Sequence, residues 1–137
     1  GLWGAMDFWW TMGANNPIAK LFVDDFLAKH KYKPYWPAHI AYSQMQIWAA
    51  AVERARSFNP IEVIKQLESG KPMTTSLGEV YYRAGDHQLI RPVPVMRGKK
   101  PSEMKSPDDY YELVQTVPGK DAVPPLEETN CKMGDLA

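Results

Sequence analysis

A chain of 137 residues is long enough for one domain with a real core, and its 45% hydrophobic and 23% charged fractions are those of an ordinary globular protein. Sixteen Lys and Arg balance sixteen Asp and Glu, which removes any chain-wide attraction to phosphate backbones or anionic lipid, so no nucleic-acid partner is expected. No apolar run reaches the roughly 18–20 residues that a membrane span needs, and the single Cys131 can form no disulfide within the chain.

The first ten residues carry Leu2, Trp3, Met6, Phe8, Trp9 and Trp10, an apolar density foreign to a free polar terminus. Residues 2–10 are read as an apolar strand that lacks neighbours and needs cover. They have neither the basic start nor the small-residue cleavage site of a secretory signal, and with Gly1 in first place this end is expected to arise by cleavage or truncation. Asn15-Asn16-Pro17 is a helix-start signal, because Asn caps orphan amides and Pro at the first position gives up an N–H that had no partner. Ala19, Phe22, Val23, Phe26 and Leu27 then follow helical spacing and predict a helix over residues 17–30. Pro34 and Pro37 push the residues before them toward extended geometry, which makes 32–37 a connector. A second helix is expected over about 38–56, with Ala41, Met45, Trp48, Val52 and Ala55 on one stripe. Ile47, Ala49, Ala50 and Ala51 widen it, so that helix should be covered on more than one side. Asn59-Pro60 repeats the capping signal and opens a third helix that ends near Gly70.

Beyond Gly70 the residues favour strands. Val80, Tyr81 and Tyr82, then 89–96, flank Ala84-Gly85-Asp86-His87 and predict a hairpin over 77–96. Pro92 and Pro94 place two missing donors on one side, which suggests an edge strand or one with a single fully bonded neighbour. Residues 110–117 read as another extended piece. From Pro118 to the end at 137 the chain is rich in proline, charge and glycine, and an extended tail is expected, either mobile or wrapped on the surface.

The glycines form no phosphate loop or dinucleotide fingerprint, and no nucleophile elbow occurs. His30, His39 and His87 fall on different elements without metal-ligand spacing, so no metal, no cofactor and no enzymatic activity are expected. Trp9 and Trp10 could line a ligand cleft with their broad faces, although packing explains adjacent tryptophans more often. His39 and Tyr42, at the start of the second helix, could meet a polar ligand group beside free amide donors, or simply face solvent there. These four are the candidate ligand-binding residues. Asp86-His87 reads as a turn before an acid–base pair, and Lys99, Lys100 and Lys105 read as solvated surface.

Taken in order, Gly1-Leu2-Trp3-Gly4, Asn16-Pro17-Ile18-Ala19 with Phe22 and Phe26, Ala41-Tyr42 opening a helix that runs through Ala49-Ala50-Ala51-Val52-Glu53-Arg54-Ala55, and Gly78-Glu79-Val80-Tyr81-Tyr82-Arg83 followed by Asp86-His87-Gln88 resemble the later part of a known family. That family is the type I periplasmic solute-binding proteins of ABC transporters, in their leucine/isoleucine/valine-binding branch. The resemblance covers residues 1–100 and leaves 101–137 as a terminal strand and tail. It implies an α/β fold, here partial, with pieces of two lobes that are joined by hinge crossovers and close over an amino acid or related small molecule. It also implies a periplasmic or extracytoplasmic location and a transporter permease as partner. In the family, residues upstream of this stretch supply most of the first lobe and the main clamp on the ligand. A chain without them is expected to self-associate or take a complementary chain. The alternative is a truncated receptor-like protein with a structural or partner-binding role and no solute binding of its own.

Overall fold

A computed structural model of the chain describes residues 1–134. In chain order its elements are β1 (Trp3–Ala5), α1 (Pro17–His30), α2 (Trp36–Ala55), α3 (Pro60–Glu68), β2 (Met73–Thr75), β3 (Gly78–Arg83), β4 (Gln88–Ile90), β5 (Val93–Gly98) and β6 (Tyr111–Val117). The chain divides into two units, one formed by residues 1–42 with 93–117 and the other by 43–92 with the stretch from 118 onward. It therefore passes from one to the other three times, after Tyr42, Pro92 and Val117.

In the first unit three antiparallel strands lie in the order β1-β5-β6. β1 pairs with β5 from Trp3 opposite Arg97 to Ala5 opposite Val95, while β6 follows β5 along its whole length with one irregularity between Val95 and Met96. The expectation of a long apolar strand without neighbours is corrected on both counts. The strand ends at Ala5 because Phe8 turns into the core and the chain closes into a 3₁₀ turn, Trp10–Asn15, in which Met12 N–H donates to Trp9 O at 2.9 Å. Its neighbour β5 lies some ninety residues on, beyond the reach of any local pattern. For Pro94 the second of the two readings holds: β5 is central, and of its two neighbours only β6 is paired along its whole length. The proline is tolerated because the β1 ladder spans only Val95–Arg97, and at Pro94 the carbonyl oxygen alone is needed, accepting from Met6 N–H at 3.1 Å.

α1 starts where the capping signal places it: Asn16 Oδ1 accepts from the Ile18 and Ala19 amides at 2.9 and 3.1 Å, and Pro17 takes the first helical position. It stops at Lys31, whose φ of 64° turns the backbone left-handed while its N–H bonds Leu27 O. Ala19 and Phe22 face Phe8 to form the core, with Met12, Val23, Phe26, Ala38 and Tyr42 around them. α2 opens at Trp36, earlier than the sequence suggests, because Pro37 falls in the first turn where no N–H is required.

The second unit holds the rest of α2, α3 and a second antiparallel sheet, β2-β3-β4. Its core is Ile47, Met73 and Val80, with Ala50, Leu67, Leu77, Tyr82 and Leu89 packed against them. Asn59 caps α3 by accepting from the Ile61 amide at 2.9 Å. The α2 stripe seen in the sequence is inverted here: Ile47 and Ala51 are buried, whereas Met45 is 60% and Trp48 44% exposed. The predicted hairpin exists as β3 and β4, with Arg83 opposite Gln88, but its second arm ends at Ile90. Pro92, which has no N–H to continue the ladder, separates it from β5, which joins the other sheet. β2, too short to show a period, pairs with β3 across a tight turn in which Thr75 Oγ1 accepts from Leu77 N–H and donates to Gly78 O.

Asp86 and His87 occupy the β3–β4 turn, as the turn reading expects. Asp86 is held by Arg83 at 2.9 and 2.6 Å, while His87 Nε2 meets Glu68 Oε1 at 2.6 Å. The tail wraps rather than hangs free over its first part: Arg83 Nη1 donates to Pro124 O at 2.9 Å, and the Leu126 methyls lie on Gly85. The last three residues of the predicted tail, 135–137, lie outside the described residues. None of the described helices is long and apolar enough to cross a membrane.

Candidate binding site

The first unit contains a cavity of about 450 Å³. Three stretches build it: the chain after β1 brings Met6, Trp9 and Trp10, the connector into α2 brings Tyr32, Lys33, Tyr35 and Trp36, and the entry to β6 brings Asp108, Tyr110 and Tyr111. The connector is fixed by an antiparallel bridge between Trp9 and Tyr35. Trp9 is buried with its ring edge-on to Tyr111 at 5.0 Å, and its Nε1–H has no acceptor among the described residues. Trp10 donates from Nε1 to Asp108 O at 3.3 Å, and its face carries Lys33 Nζ at 3.6 Å from the ring centroid. Lys33 in turn meets Asp108 Oδ1 at 3.2 Å. The Ser106 hydroxyl and the Lys33 ammonium hold the Asp108 carboxyl below the usual aspartate range, so it is ionised at neutral pH.

Of the four residues singled out in the sequence, Trp9 and Trp10 line this cavity and His39 and Tyr42 do not. His39 is fully buried, not facing solvent at a helix start; its ring stacks on Phe8 at 3.8 Å and 8°, and its backbone N–H donates to Tyr35 O. Tyr42 stacks on Phe22 at 4.7 Å. Both therefore belong to the aromatic core of the same unit. Sequence reasoning passed over Lys33 and Asp108, which lie 75 residues apart, and over the tyrosines at 110 and 111. Aromatic density is the signal the sequence offers there, in 32–37, read as a connector, and in 110–117, read as an extended piece.

Lys99 is a second correction. It is not solvated surface: its side chain is 12% exposed and its ammonium donates to both oxygens of the buried Asp109 at 2.7 Å. Lys99, and then the Lys105 backbone N–H at 3.0 Å, hold the Asp109 carboxyl below the ordinary aspartate value of 3.8. A depressed folded-state pKa adds stability that is present above the unfolded value and disappears as pH falls through the folded one. Urea midpoints should accordingly drop as the pH is taken from 7 to about 3. Asp109→Asn should lower the midpoint at pH 7 and flatten that slope, and an unchanged slope would remove Asp109 from the account.

The order of elements and the two small sheets match part of the periplasmic-binding-protein fold. The family model for the periplasmic binding proteins matches residues 1–103, and the chain belongs to that family, a non-enzymatic class that works outside the cytoplasm. Among solved structures, a periplasmic binding protein from Burkholderia mallei is 30% identical over 96% of this chain, with a TM-score of 0.83. A branched-chain amino acid ABC transporter periplasmic ligand-binding protein from Burkholderia xenovorans is 26% identical over 93%, with a TM-score of 0.75. An amino acid ABC transporter substrate-binding protein from Pseudomonas fluorescens shares the fold at 23% identity over 97%, with a TM-score of 0.80. This chain covers 34%, 33% and 34% of those three, about a third of each. No curated protein matches. The expected α/β class holds as a partial fold of this family.

Proposed function

We propose that the chain is part of the solute-binding component of an ABC importer, located in the periplasm or its equivalent and working with a membrane permease. Its solute is an amino acid or a related small molecule, held in the closing cleft of the whole protein. The observation that carries this reading is the match to the binding-protein family over residues 1–103, supported by relatives named for amino-acid and branched-chain amino-acid transport. The candidate contacts remain Trp9, Trp10, His39 and Tyr42. We place residues 1–100 in the receptor body and 101–137 in a terminal strand and tail.

Calorimetry on the full natural protein with leucine, valine and a panel of other amino acids tests the reading. One of them should bind, and Tyr42→Ala should weaken it by more than the roughly 1 kcal/mol of a peripheral packing change. Unchanged affinity would leave Tyr42 as a core residue. A second reading draws on the exposed apolar side chains of Met45, Trp48 and Phe58. In it the chain is a receptor-like protein whose apolar face takes a second copy or a complementary chain. Absence of heat with every amino acid would favour that alternative.

A further inference from the structure

The cavity of the first unit has a chemistry that selects its ligand. Its one cation is already placed: Lys33 Nζ occupies the face of Trp10 and pairs with Asp108, so an incoming ammonium meets neither an open indole face there nor an uncompensated carboxylate. A carboxylate ligand brings no hydrogen-bond donor for Asp108, whose charge Lys33 already balances. Two features remain unused. Tyr35, Trp36 and Tyr110 line the cavity with 51%, 45% and 51% of their surface exposed in this chain. Asp108 receives both Ser106 and Lys33 on Oδ1, which leaves Oδ2 able to accept.

We propose that this cavity binds a neutral aromatic ring carrying a hydrogen-bond donor, a small phenol or indole. The ring lies among the side chains of Tyr35, Trp36 and Tyr110, and its O–H or N–H donates to Asp108 Oδ2. A volume of about 450 Å³ accommodates one or two fused rings. Aromatic faces take such a ring offset or edge-on, and a donor on an ionised acceptor makes the stronger kind of hydrogen bond. All these groups belong to the first unit, and the cavity shares Trp9 and Trp10 with the candidate amino-acid contacts, so the inference rests on that site, while 4-methylphenol binding can be read whether or not an amino acid binds.

The test is calorimetry and indole N–H chemical-shift perturbation on the full natural protein, titrated with 4-methylphenol with and without a saturating amino acid. A dissociation constant on the order of 0.1–1 mM is expected for a ligand of this size, and an amino acid that uses Trp9 and Trp10 should compete with it. Toluene, which fills the same space without a donor, should bind at least about fivefold more weakly, and benzoate and tetramethylammonium not at all. Tyr110→Ala and Asp108→Asn should each weaken 4-methylphenol at least about fivefold. The comparison of toluene with 4-methylphenol needs no variant and so survives a substitution that disturbs folding. No binding at several millimolar, equal binding of toluene or benzoate, or glucose binding more tightly than 4-methylphenol would overturn the proposal.

Discussion

Phe8→Ala is expected to destabilise the protein by about 3–5 kcal/mol, the range for deleting a fully buried phenyl ring. Phe8 is wholly buried at the point where three elements meet. Its ring lies flat on His39 of α2 at 3.8 Å and edge-on to Phe22 of α1 at 5.8 Å. Removing it leaves a void walled by a helix on each side, and neither helix can close in without losing other contacts. α1 is fixed at its start by the Asn16 cap, and α2 by the stacking of Tyr42 on Phe22. The void should therefore persist, which puts the cost toward the upper end of the range. Leu21→Ala, on the same α1 but 56% exposed, should stay within about 0.5 kcal/mol. Urea unfolding of the two variants makes the comparison. A loss below about 1 kcal/mol for Phe8→Ala would show that the core collapses around the gap and that Phe8 is not its centre.

The same core shows how much of the fold a reader of the sequence can reach. Asn16-Pro17 and Asn59-Pro60 declare helix starts through groups within three residues of one another, and both helices begin at the proline. Strand partners carry no such local mark. β1 and β5 meet because each offers the other a ladder, and nothing near Trp3 names Arg97 as its partner. α2 is a harder case, since apolar residues lie on two sides of it. The sequence stripe through Met45 and Trp48 is the more regular, yet Ile47 and Ala51 are the buried residues, with Ile47 packed beside Met73 and Val80 in the second unit. Periodicity reveals that a helix has an apolar face, and only the tertiary partners determine which face is covered.

The site divides in the same way. Trp9 and Trp10 stand out by composition alone, and both reach the cavity. His39 and Tyr42 stand out in the sequence by their place at a helix start, where a polar tip can meet a ligand. Their rings stack on Phe8 and Phe22, as an imidazole and a phenol can as well as donate. Lys33 and Asp108 become a pair only when the approach to β6 is laid beside the α1–α2 connector. Neither charge is unusual in its own segment.

Gly119→Ala should cost about 2–3 kcal/mol, as a backbone overlap in the second unit. Gly119 opens the short turn Gly119–Asp121 directly after the third passage of the chain between units. A methyl group on its Cα would lie 2.6 Å from both the amide nitrogen and the carbonyl oxygen of Arg91, and 2.7 Å from its carbonyl carbon. These are main-chain atoms between β4 and Pro92, and they cannot rotate aside as a side chain can. Relief comes only by lifting the tail off the hairpin, which puts the Arg83 bond to Pro124 and the seat of Leu126 on Gly85 at risk. Gly85→Ala provides the contrast. Its added methyl meets only the branched end of Leu126, which can turn away, so that substitution should cost less than about 1 kcal/mol. Urea midpoints should separate the two variants, and limited proteolysis should cut Gly119→Ala faster within 118–134 than the parent or Gly85→Ala. Equal midpoints and equal cleavage would mean that the tail does not depend on close approach at Gly119, and that its seat on the hairpin is made by Pro124 and Leu126 alone.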